Sequence, residues 1–336
     1  MEQGNKILII SQQDEHSTDK VLQYLLHYNS EFIRINENDI VQSANIIFDK
    51  QDYFKLFYNN CTIDFDKIFS VWYRRGKLNL LKKILYPLSH EELQLYQYYQ
   101  EHSYQKEMDD IMQYIYLKLK DKKHINNFND NVISKLVQLN VALKNELKVP
   151  KTIITNSIKT TMEYFENSEI IFKSIHWNLF SFSTNDGKHF KAGIDSSKLL
   201  NKENLVDLIN NKGSEKILYS LYQEYINKKF ELRIFYLNGM FYPMAIFSQQ
   251  NEETKVDWRN ENIKNRISVF KLPEHMEFKI NRFMNDLQLN CGSLDFIYTP
   301  NNEYIFLEVN PIGQFDWLSS GCNYFIEKHI ANELRI

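Results

Sequence analysis

Glycine is scarce in this sequence, and its scarcity excludes two common ways of binding a nucleotide. The chain has 336 residues but only nine glycines, and no stretch matches GxGxxG or a Walker A loop. Both motifs depend on glycine because the backbone must approach phosphate groups closely. A nucleotide bound by this chain would therefore have to be held by lysine and arginine side chains.

Cysteine is also scarce, and long apolar runs and a large net charge are missing. The three cysteines, Cys61, Cys291 and Cys322, match no metal-ligand spacing, and the net charge is only -3. No apolar run approaches the roughly 20 residues of a membrane helix, and the KILII segment is too short for a signal peptide. We therefore expect a cytoplasmic protein that binds neither nucleic acid nor membranes.

The length and the 43% hydrophobic content indicate a folded protein of two or three packed units. The N-terminal pattern predicts a strand at 6–10, a helix capped by Ser17 or Thr18 and a strand at 31–35, which is the start of an α/β layer. A buried strand over 67–73 ends in Arg74 and Arg75. This arginine pair either grips a carboxylate or phosphate, or is a solvated or ion-paired strand terminus.

The remaining pattern alternates helices and strands. Residues 90–120 are Tyr-rich and predicted to be helical, and the polar stretch 121–130 predicts a boundary. The further predictions are helices over 132–147, 157–167, 203–210, 273–289 and 322–334, strands over 152–156, 169–174, 217–226, 231–237 and 240–249, and a hairpin turned at Asn185-Asp186-Gly187.

The tract from Cys291 to Gln314 is the most informative segment. It predicts a β-hairpin with its turn at 299–302. A turn centred on Asn301 and Asn302 places Asp295 opposite Glu308, with Asn310 on the same face. These oxygen donors suit a hard cation such as Mg²⁺; the alternative is that the acids face solvent or pair with Lys or Arg.

Five segments, in order, resemble the ATP-grasp ligases from about residue 131 onward. They are KLVQLNVALKNELKVPKTIITN, the strand lysine in EIIFKS, LYQEYINKKFELRIFYLNG, VDWRN, and SLDFIY with YIFLEVNPIGQ. Together with the upstream VWYRRGK, the segments QEYI, ELR, DWR and FLEVNPIGQFDWL resemble the peptide maturases of the microviridin and graspetide type. The resemblance covers nearly the whole chain.

The resemblance implies an α/β fold with α+β lobes. An N-terminal, Rossmann-like pre-ATP-grasp domain would span 1–125, a central ATP-grasp lobe 126–220, and a C-terminal lobe with the metal-binding hairpin 221–336. It also implies the cofactors ATP and Mg²⁺ and a homodimer.

The resemblance further implies a set of site residues. Asp295, Glu308 and Asn310 would hold Mg²⁺, Lys135 and Lys173 would contact phosphates, and Gln223, Glu224, Tyr225 and Ile226 would form the hinge that meets adenine. Glu231 would lie near the ribose, and Arg233 and Arg259 would contact the triphosphate or an acyl phosphate. Simpler alternatives are a solvated Lys135 and pairing of the arginines with Glu231 or Asp257. The assignment of Lys173 has more support, because a charge within the apolar run IIFK needs a partner if it is buried.

The implied activity is ATP-dependent macrocyclisation of a ribosomal precursor peptide made of a leader and a core. Its Asp or Glu carboxylates would become acyl phosphates and join Ser or Thr hydroxyls or Lys amines as ω-esters or ω-amides, with release of ADP and phosphate. The sequence departs from the family pattern after Lys173, where many ATP-grasp proteins have a glycine-rich loop over the phosphates. The only glycine of this stretch lies at the hairpin turn, and His176 and Ser174, which could replace the loop, are given no role.

Two other functions remain compatible with these residues. One is an ATP-grasp ligase that adds free amino acids to a small acid or a protein tail. The other is a nucleotide-binding regulatory module without catalysis, although the intact metal trio and both arginines argue against it.

Overall fold

The computed structural model of this chain describes residues 6–41, 43–48, 52–59, 61–76, 78–80, 89–99, 103, 105–128, 133–166, 168–175, 179–183, 189–193, 198–256, 258 and 265–335. It divides into two compact units. Unit 1 comprises 1–131, 314–316 and 325–336, and unit 2 comprises 132–313 and 317–324.

The helices and strands of unit 1 lie mostly in the first 125 residues. The strands are β1 (Lys6–Ser11), β2 (Phe32–Asn36), β3 (Ile40–Val41), β4 (Ser43–Phe48), β5 (Asp52–Tyr58), β6 (Cys61–Asp64), β7 (Ile68–Tyr73), β8 (Asn79–Leu80) and β9 (Lys123–Ile125), and the helices are α1 (His16–His27), α2 (His90–Tyr99) and α3 (Gln105–Leu119).

Unit 2 contains the following helices and strands, after which the last helix returns to unit 1. They are α4 (Lys135–Lys144), β10 (Thr152–Ser157), α5 (Ile158–Phe165), β11 (Ile170–Lys173), β12 (Leu179–Ser183), β13 (His189–Gly193), β14 (Lys198–Leu200), α6 (Lys202–Lys212), β15 (Lys216–Glu224), β16 (Phe230–Leu237), β17 (Met240–Ile246), β18 (Ile267–Val269), α7 (Glu274–Asp286), β19 (Cys291–Tyr298), β20 (Tyr304–Asn310) and α8 (Asp316–Cys322). The last helix, which belongs to unit 1, is α9 (Ile326–Arg335).

Unit 1 is built on a parallel sheet with the order β2-β1-β7-β9. The strands predicted at 6–10, 31–35 and 67–73 are confirmed. The inner strands β1 and β7 are mostly buried and largely apolar, while the edge strand β2 carries Arg34 and Asn36 and is mostly half-buried. The predicted cap of α1 is wrong: the helix begins at His16 after Glu15, so Ser17 and Thr18 lie inside its first turn. The antiparallel sheet β4-β5-β6 was not foreseen.

Unit 2 contains two larger antiparallel sheets in its described part. The central sheet has the order β10-β15-β11-β14, and the C-terminal sheet has the order β18-β17-β16-β19-β20. The core of the C-terminal sheet includes Leu232, Phe296 and Phe306 and residues from α4 and α7, such as Ala142 and Phe283. One face of this sheet is therefore covered by helices, and the other carries the polar residues described below.

Several predicted element boundaries needed correction. The helical stretch 90–120 is divided between α2 and α3, and the predicted final helix over 322–334 begins later, as α9 at Ile326. Helix α8 lies before it, in a stretch where only a loop was predicted. The helix predicted over 132–147 begins at Lys135, because the Ser134 side chain accepts a hydrogen bond from Leu136 N at 3.3 Å. Strands β12 and β13 pair as predicted, while their turn at 185–187 lies outside the described residues.

No helix in the described part of the chain combines the length and the apolar character needed to cross a membrane.

Candidate active site on the C-terminal sheet

A row of largely buried residues, most of them polar, crosses the face of the C-terminal sheet opposite helices α4 and α7. Side chains alternate along each strand, so Leu232 and Ile234 enter the core while Arg233 points to the other face. The registers place Met244, Arg233, Asp295 and Glu308 side by side on four neighbouring strands. An arginine and two acids are thereby brought together by strand pairing.

The predicted pairing of Asp295 with Glu308 and the predicted turn at 299–302 are confirmed, but the centre of the turn differs by half a residue. Tyr298 pairs with Tyr304 and Phe296 with Phe306, so the turn centres on Asn301, and Asn302 has a left-handed φ of 61°. A β-bulge between this part of the ladder and the Asp295–Glu308 pair then shifts the register by one residue. The turn shifts the strand register by one residue and the bulge shifts it back, so Asp295 still lies opposite Glu308.

Arg233 forms an ion pair with Asp295. Its Nη1 donates to Asp295 Oδ2 at 2.7 Å, and both side chains are largely buried, with 10% and 18% exposed. The alternative in which Arg233 pairs with Glu231 is therefore not realised. Two buried atoms beside this pair, Arg233 Nε and Ser293 Oγ, have no hydrogen-bond partner among the described residues. These two atoms are therefore still able to form hydrogen bonds.

Glu308 lies beside Lys135 from helix α4. The Lys135 Nζ is 3.7 Å from Glu308 Oε2 and donates to the Ser174 carbonyl at 3.3 Å. Only 26% of the Lys135 side chain is exposed, so the simple solvated-lysine interpretation is wrong. Lys135 thus connects the C-terminal sheet with the residue that follows β11.

Asn310 pairs with Ser293 on the same face, as predicted, and begins a tight loop. Its Oδ1 accepts a hydrogen bond from Ile312 N at 3.1 Å, and its carbonyl accepts one from Gly313 N at 3.1 Å. A Cβ atom placed on Gly313 would lie 2.5 Å from Ser293 Cβ and 2.9 Å from Arg233 Nη2. Only glycine fits this close approach, so the loop packs directly on the arginine.

The donor chemistry of this face fits Mg²⁺. Asp295, Glu308 and Asn310 offer carboxylate and amide oxygens on one sheet face, and an amide oxygen has a second lone pair beyond the one used by Ile312 N. No group of three or more His, Cys, Asp or Glu side chains suited to a metal occurs among the described residues. A metal ion held on this face would therefore have the Asn310 amide oxygen as its third candidate protein ligand, beside the two acids.

Lys173 lies at the end of β11 on the face of the central sheet opposite helices α5 and α6. Its neighbour Phe172 packs with Tyr222 in the helix-covered core, so alternation places Lys173 with Leu221 and Gln223 on the other face. The next residue, Ser174, holds Lys135. Both predicted phosphate-contacting lysines therefore belong to one connected region of unit 2.

The predicted hinge Gln223–Glu224–Tyr225–Ile226 covers the end of β15 and the residues after it. Gln223 is buried and its Nε2 donates to Thr152 Oγ1 at 3.1 Å, while Glu224 N and Tyr225 N bond the carbonyls of Lys151 and Glu169. Burial raises the pKa of Tyr225, and the charges of Glu169 and Glu231 raise it further. The tyrosine thus lies within electrostatic range of Glu231.

Glu231 has a buried partner that the sequence did not reveal. Lys228 forms an ion pair with it, and Ser248 Oγ donates to Glu231 Oε1 at 3.3 Å. Lys228 also donates to the Val256 carbonyl at 3.0 Å, and both charged residues are 6% exposed. Each charge therefore offsets the cost of burying the other.

Two residues singled out from the sequence, Arg259 and His176, lie outside the described residues, as does Asp257. Trp258, the residue between Asp257 and Arg259, is described, and its ring packs against the Trp317 ring with the ring centroids 5.1 Å apart. The DWR segment and the FDW segment, both part of the family resemblance, are thus in contact through their tryptophans.

The arginine pair of unit 1 is an ion-paired strand terminus. Arg74 Nη2 lies 3.0 Å from Glu15 Oε1 and Arg75 Nε lies 3.1 Å from Glu15 Oε2, and Arg74 also donates to Gln314 Oε1 at 3.0 Å. Burial raises the pKa of the Glu15 carboxyl, but the Arg74 charge, the Ser17 hydrogen bond and the Arg75 charge outweigh it. The net result is a lowered pKa.

Sequence reasoning missed several residues at these sites. Glu15 lies in none of the quoted segments, and Ser293 and Lys228 lie within them but were given no role. Gln138 interrupts the apolar pattern of α4 with a buried amide that bonds β20. The signal that could have found Gln138 is its position one turn after Lys135, on the same helix face.

Comparisons with known proteins bear on the fold of this chain. No protein-family model and no curated protein matches the chain. Among solved structures, it is similar to a RiPP-associated ATP-grasp ligase from Chryseobacterium gregarium in complex with ADP and a leader and core peptide. The two are 25% identical, with 98% of this chain and 95% of that chain covered and a TM-score of 0.76.

Two further solved structures share the fold. The macrocyclase MdnC from Microcystis aeruginosa MRC, bound with precursor peptide MdnA, is 23% identical, with 98% of this chain and 99% of that chain covered and a TM-score of 0.71. D-alanyl-alanine synthetase A from Vibrio cholerae is 13% identical, with 99% and 98% covered and a TM-score of 0.52.

This chain has the mixed α/β fold of the ATP-grasp ligases. Within that fold it resembles the RiPP-associated ligases of the graspetide type, as its motifs predicted.

Proposed function

We propose that this protein is an ATP-dependent ligase that closes rings in a ribosomal precursor peptide. The row of Arg233, Asp295 and Glu308, with Lys135 beside it, is the observation that carries this proposal. The similarity to a ligase solved with ADP and with leader and core peptides supports a peptide substrate.

The first step is transfer of the ATP γ-phosphoryl group to a carboxylate of the peptide. A carboxylate oxygen of Asp or Glu attacks the γ-phosphorus, the bond to the β-phosphate oxygen breaks, and ADP leaves an acyl phosphate behind. Mg²⁺ bound by Asp295, Glu308 and Asn310 would supply charge neutralisation at the phosphate oxygens. Arg233 and Arg259 would orient the phosphoryl group, because a guanidinium holds two oxygens in fixed geometry.

The second step forms the cross-link. A Ser or Thr hydroxyl or a Lys amine of the same peptide attacks the acyl carbon, its proton is lost, and phosphate leaves. Each ester or amide bond removes one water from the peptide, while ATP becomes ADP and phosphate. The chain's own contribution is to hold the reacting groups together and to balance the phosphate charge.

The remaining site residues would hold the nucleotide. Lys135 and Lys173 would contact phosphates, and Gln223, Glu224, Tyr225 and Ile226 would meet adenine. Glu231 would lie near the ribose, with Lys228 fixing its carboxylate. We further propose the predicted domains 1–125, 126–220 and 221–336, a Rossmann-like first domain, a homodimer and a cytoplasmic location.

Mass spectrometry of the peptide product tests this function directly. The substrate for this test is the product of any short reading frame beside the gene that carries repeated Thr- and Asp/Glu-rich cores. Incubation with ATP and Mg²⁺ should lower its mass by one water per ring and release ADP. Release of AMP contradicts the proposal. A gain in mass with added free amino acids indicates the amino-acid ligase instead, and nucleotide binding without turnover indicates a regulatory module.

A further inference from the structure

Gln138 is a buried amide that joins helix α4 to the strand that carries Glu308 and Asn310. The residue is only 4% exposed. Its Oε1 accepts a hydrogen bond from Val309 N at 2.8 Å, and its Nε2 donates to the Ile133 carbonyl at 2.9 Å. Both ends of the amide are therefore satisfied, as a buried polar group requires.

Val309 is the residue between two of the proposed metal ligands. Its side chain belongs to the helix-covered core, so alternation directs Glu308 and Asn310 to the site face. Strand β20 lies at the end of the strand order of its sheet, and an outward amide on such a strand needs a partner beyond the sheet. Gln138 supplies that partner.

The hydrogen bond from Val309 N to Gln138 Oε1 also fixes the backbone on one side of the β-bulge. Leu307 is the extra residue, because Phe296 pairs with Phe306 and Asp295 with Glu308. On the other side of the bulge, Phe306 N donates to the Lys148 carbonyl at 2.7 Å. The two outside hydrogen bonds bracket the bulge, and a one-residue slip there would turn Glu308 toward the opposite face.

Helix α4 therefore reaches β20 with two side chains at once. Lys135 and Gln138 are three residues apart and lie on one helix face. The first reaches the Glu308 carboxylate at 3.7 Å, and the second holds the backbone of the next residue. A rigid helix thus fixes both the charge environment and the register of the ligand strand.

We propose that Gln138 is a positioning residue for the metal site, and this rests on the proposed function. Its amide holds the bulged segment 307–309 in the register that places Glu308 beside Asp295 and Asn310 on the same face. It touches neither substrate nor metal, and it acts through the backbone of Val309.

The test compares Gln138→Met with a matched change on the same helix. Met has a similar length but offers no hydrogen bond to Val309. The control is Asn145→Leu, because Asn145 is a buried amide at the other end of α4 that bonds Val141 O at 3.0 Å and Asp286 Oδ2 at 2.8 Å. Both variants lose buried hydrogen bonds, but only the first loosens β20.

Two measurements without turnover report the result. Residue-resolved hydrogen exchange should show Val309 N protected in the wild type like Leu294 N, and at least about 10-fold less protected in Gln138→Met. Binding of Mn²⁺ with ADP, followed by water-proton relaxation, should be about 10-fold weaker in Gln138→Met, the size expected for loss of a supporting contact. Asn145→Leu should change neither quantity.

Each other result overturns the proposal. If Val309 N exchanges rapidly in the wild type, the proposal is overturned without any variant. It is also overturned if Asn145→Leu loses as much Mn²⁺ affinity as Gln138→Met. Should Gln138→Met not fold, Gln138→Glu keeps an acceptor and must retain protection of Val309 N. If the proposed function itself fails, the wild type also does not bind Mn²⁺ with ADP; if only the role of Gln138 fails, wild type and Gln138→Met bind equally well.

Discussion

Asp295 and Glu308 lie directly opposite each other on antiparallel strands, and each carboxylate has a different basic partner. Arg233 donates to Asp295 at 2.7 Å, and Lys135 lies 3.7 Å from Glu308. Two opposed carboxylates repel each other, and the two cations offset that repulsion. We expect the same cations to face phosphate oxygens once Mg²⁺ and ATP are bound.

Removing either acid should abolish turnover while the protein stays folded. We expect Asp295→Ala and Glu308→Ala to lower Mg²⁺-dependent ADP release by at least about 100-fold, because each removes an oxygen ligand and a charge aimed at the phosphates. Circular dichroism checks the fold. The control is Glu303→Ala on the same hairpin, whose half-exposed carboxylate pairs with Lys148, and it should leave the rate unchanged. Full activity in either site variant would remove the metal assignment.

The geometry of Arg233 should matter as well as its charge. Arg233→Lys keeps the positive charge but loses the planar fork that binds Asp295 and a phosphoryl group together. We expect kcat for ADP release to fall by about 100-fold. Arg282→Lys on α7 changes a residue that packs on Phe278 and should behave as wild type. An Arg233→Lys variant with unchanged kcat would show that only charge is needed there.

Gly313 should be intolerant of even one added carbon. In Gly313→Ala the new Cβ would lie 2.5 Å from Ser293 Cβ and 2.9 Å from Arg233 Nη2, which forces the arginine or the loop to move. We expect a loss of ADP release of about 100-fold with the fold retained, because misplacing a positioned group by about 1 Å is enough for this.

A second substitution separates a steric effect from other causes. Ser293→Gly removes the atom that would make the 2.5 Å contact, so Gly313→Ala combined with Ser293→Gly should recover part of the lost rate. The clash with Arg233 remains, and recovery should therefore be incomplete. No recovery at all would argue that Gly313 acts through its backbone and not through the space it leaves.

The sequence predicted the strands better than the contacts between them. Apolar alternation marks a strand locally, so the strand predicted from KILII and the pairing of Asp295 with Glu308 are confirmed. The pairing is correct although the predicted centre of the turn is not, because the three-residue turn and the bulge each shift the register by one residue, in opposite directions. A bulge leaves no local mark in the sequence, since it depends on outside partners such as Gln138 and Lys148.

The ion pairs were the least predictable part of the site. Glu231 and Arg233 lie two residues apart on one face, so their pairing looked natural from the sequence. The structure instead pairs Arg233 with Asp295 and Glu231 with Lys228. Which partner is chosen depends on neighbouring strands and loops that are distant in sequence, so local spacing cannot decide it.

Glu15 should stabilise unit 1 in a pH-dependent manner. Glu15→Gln would leave Arg74 and Arg75 beside a neutral amide, and loss of one partner from a buried ion pair costs about 3 kcal/mol of unfolding free energy. The folded-state pKa of Glu15 lies below its ordinary value of 4.5, so the stabilisation is complete above pH 4.5 and is lost as pH falls through the folded pKa.

Chemical denaturation of both proteins at several pH values measures this effect. The difference in unfolding free energy between wild type and Glu15→Gln should be largest near pH 7 and should shrink below about pH 4.5. Glu31→Gln, which changes an exposed acid 3.7 Å from Lys6, should differ from wild type by no more than about 0.5 kcal/mol. A constant difference for Glu15→Gln across this range would mean that the carboxylate charge is not what holds the two arginines, because protonation would then leave their environment unchanged.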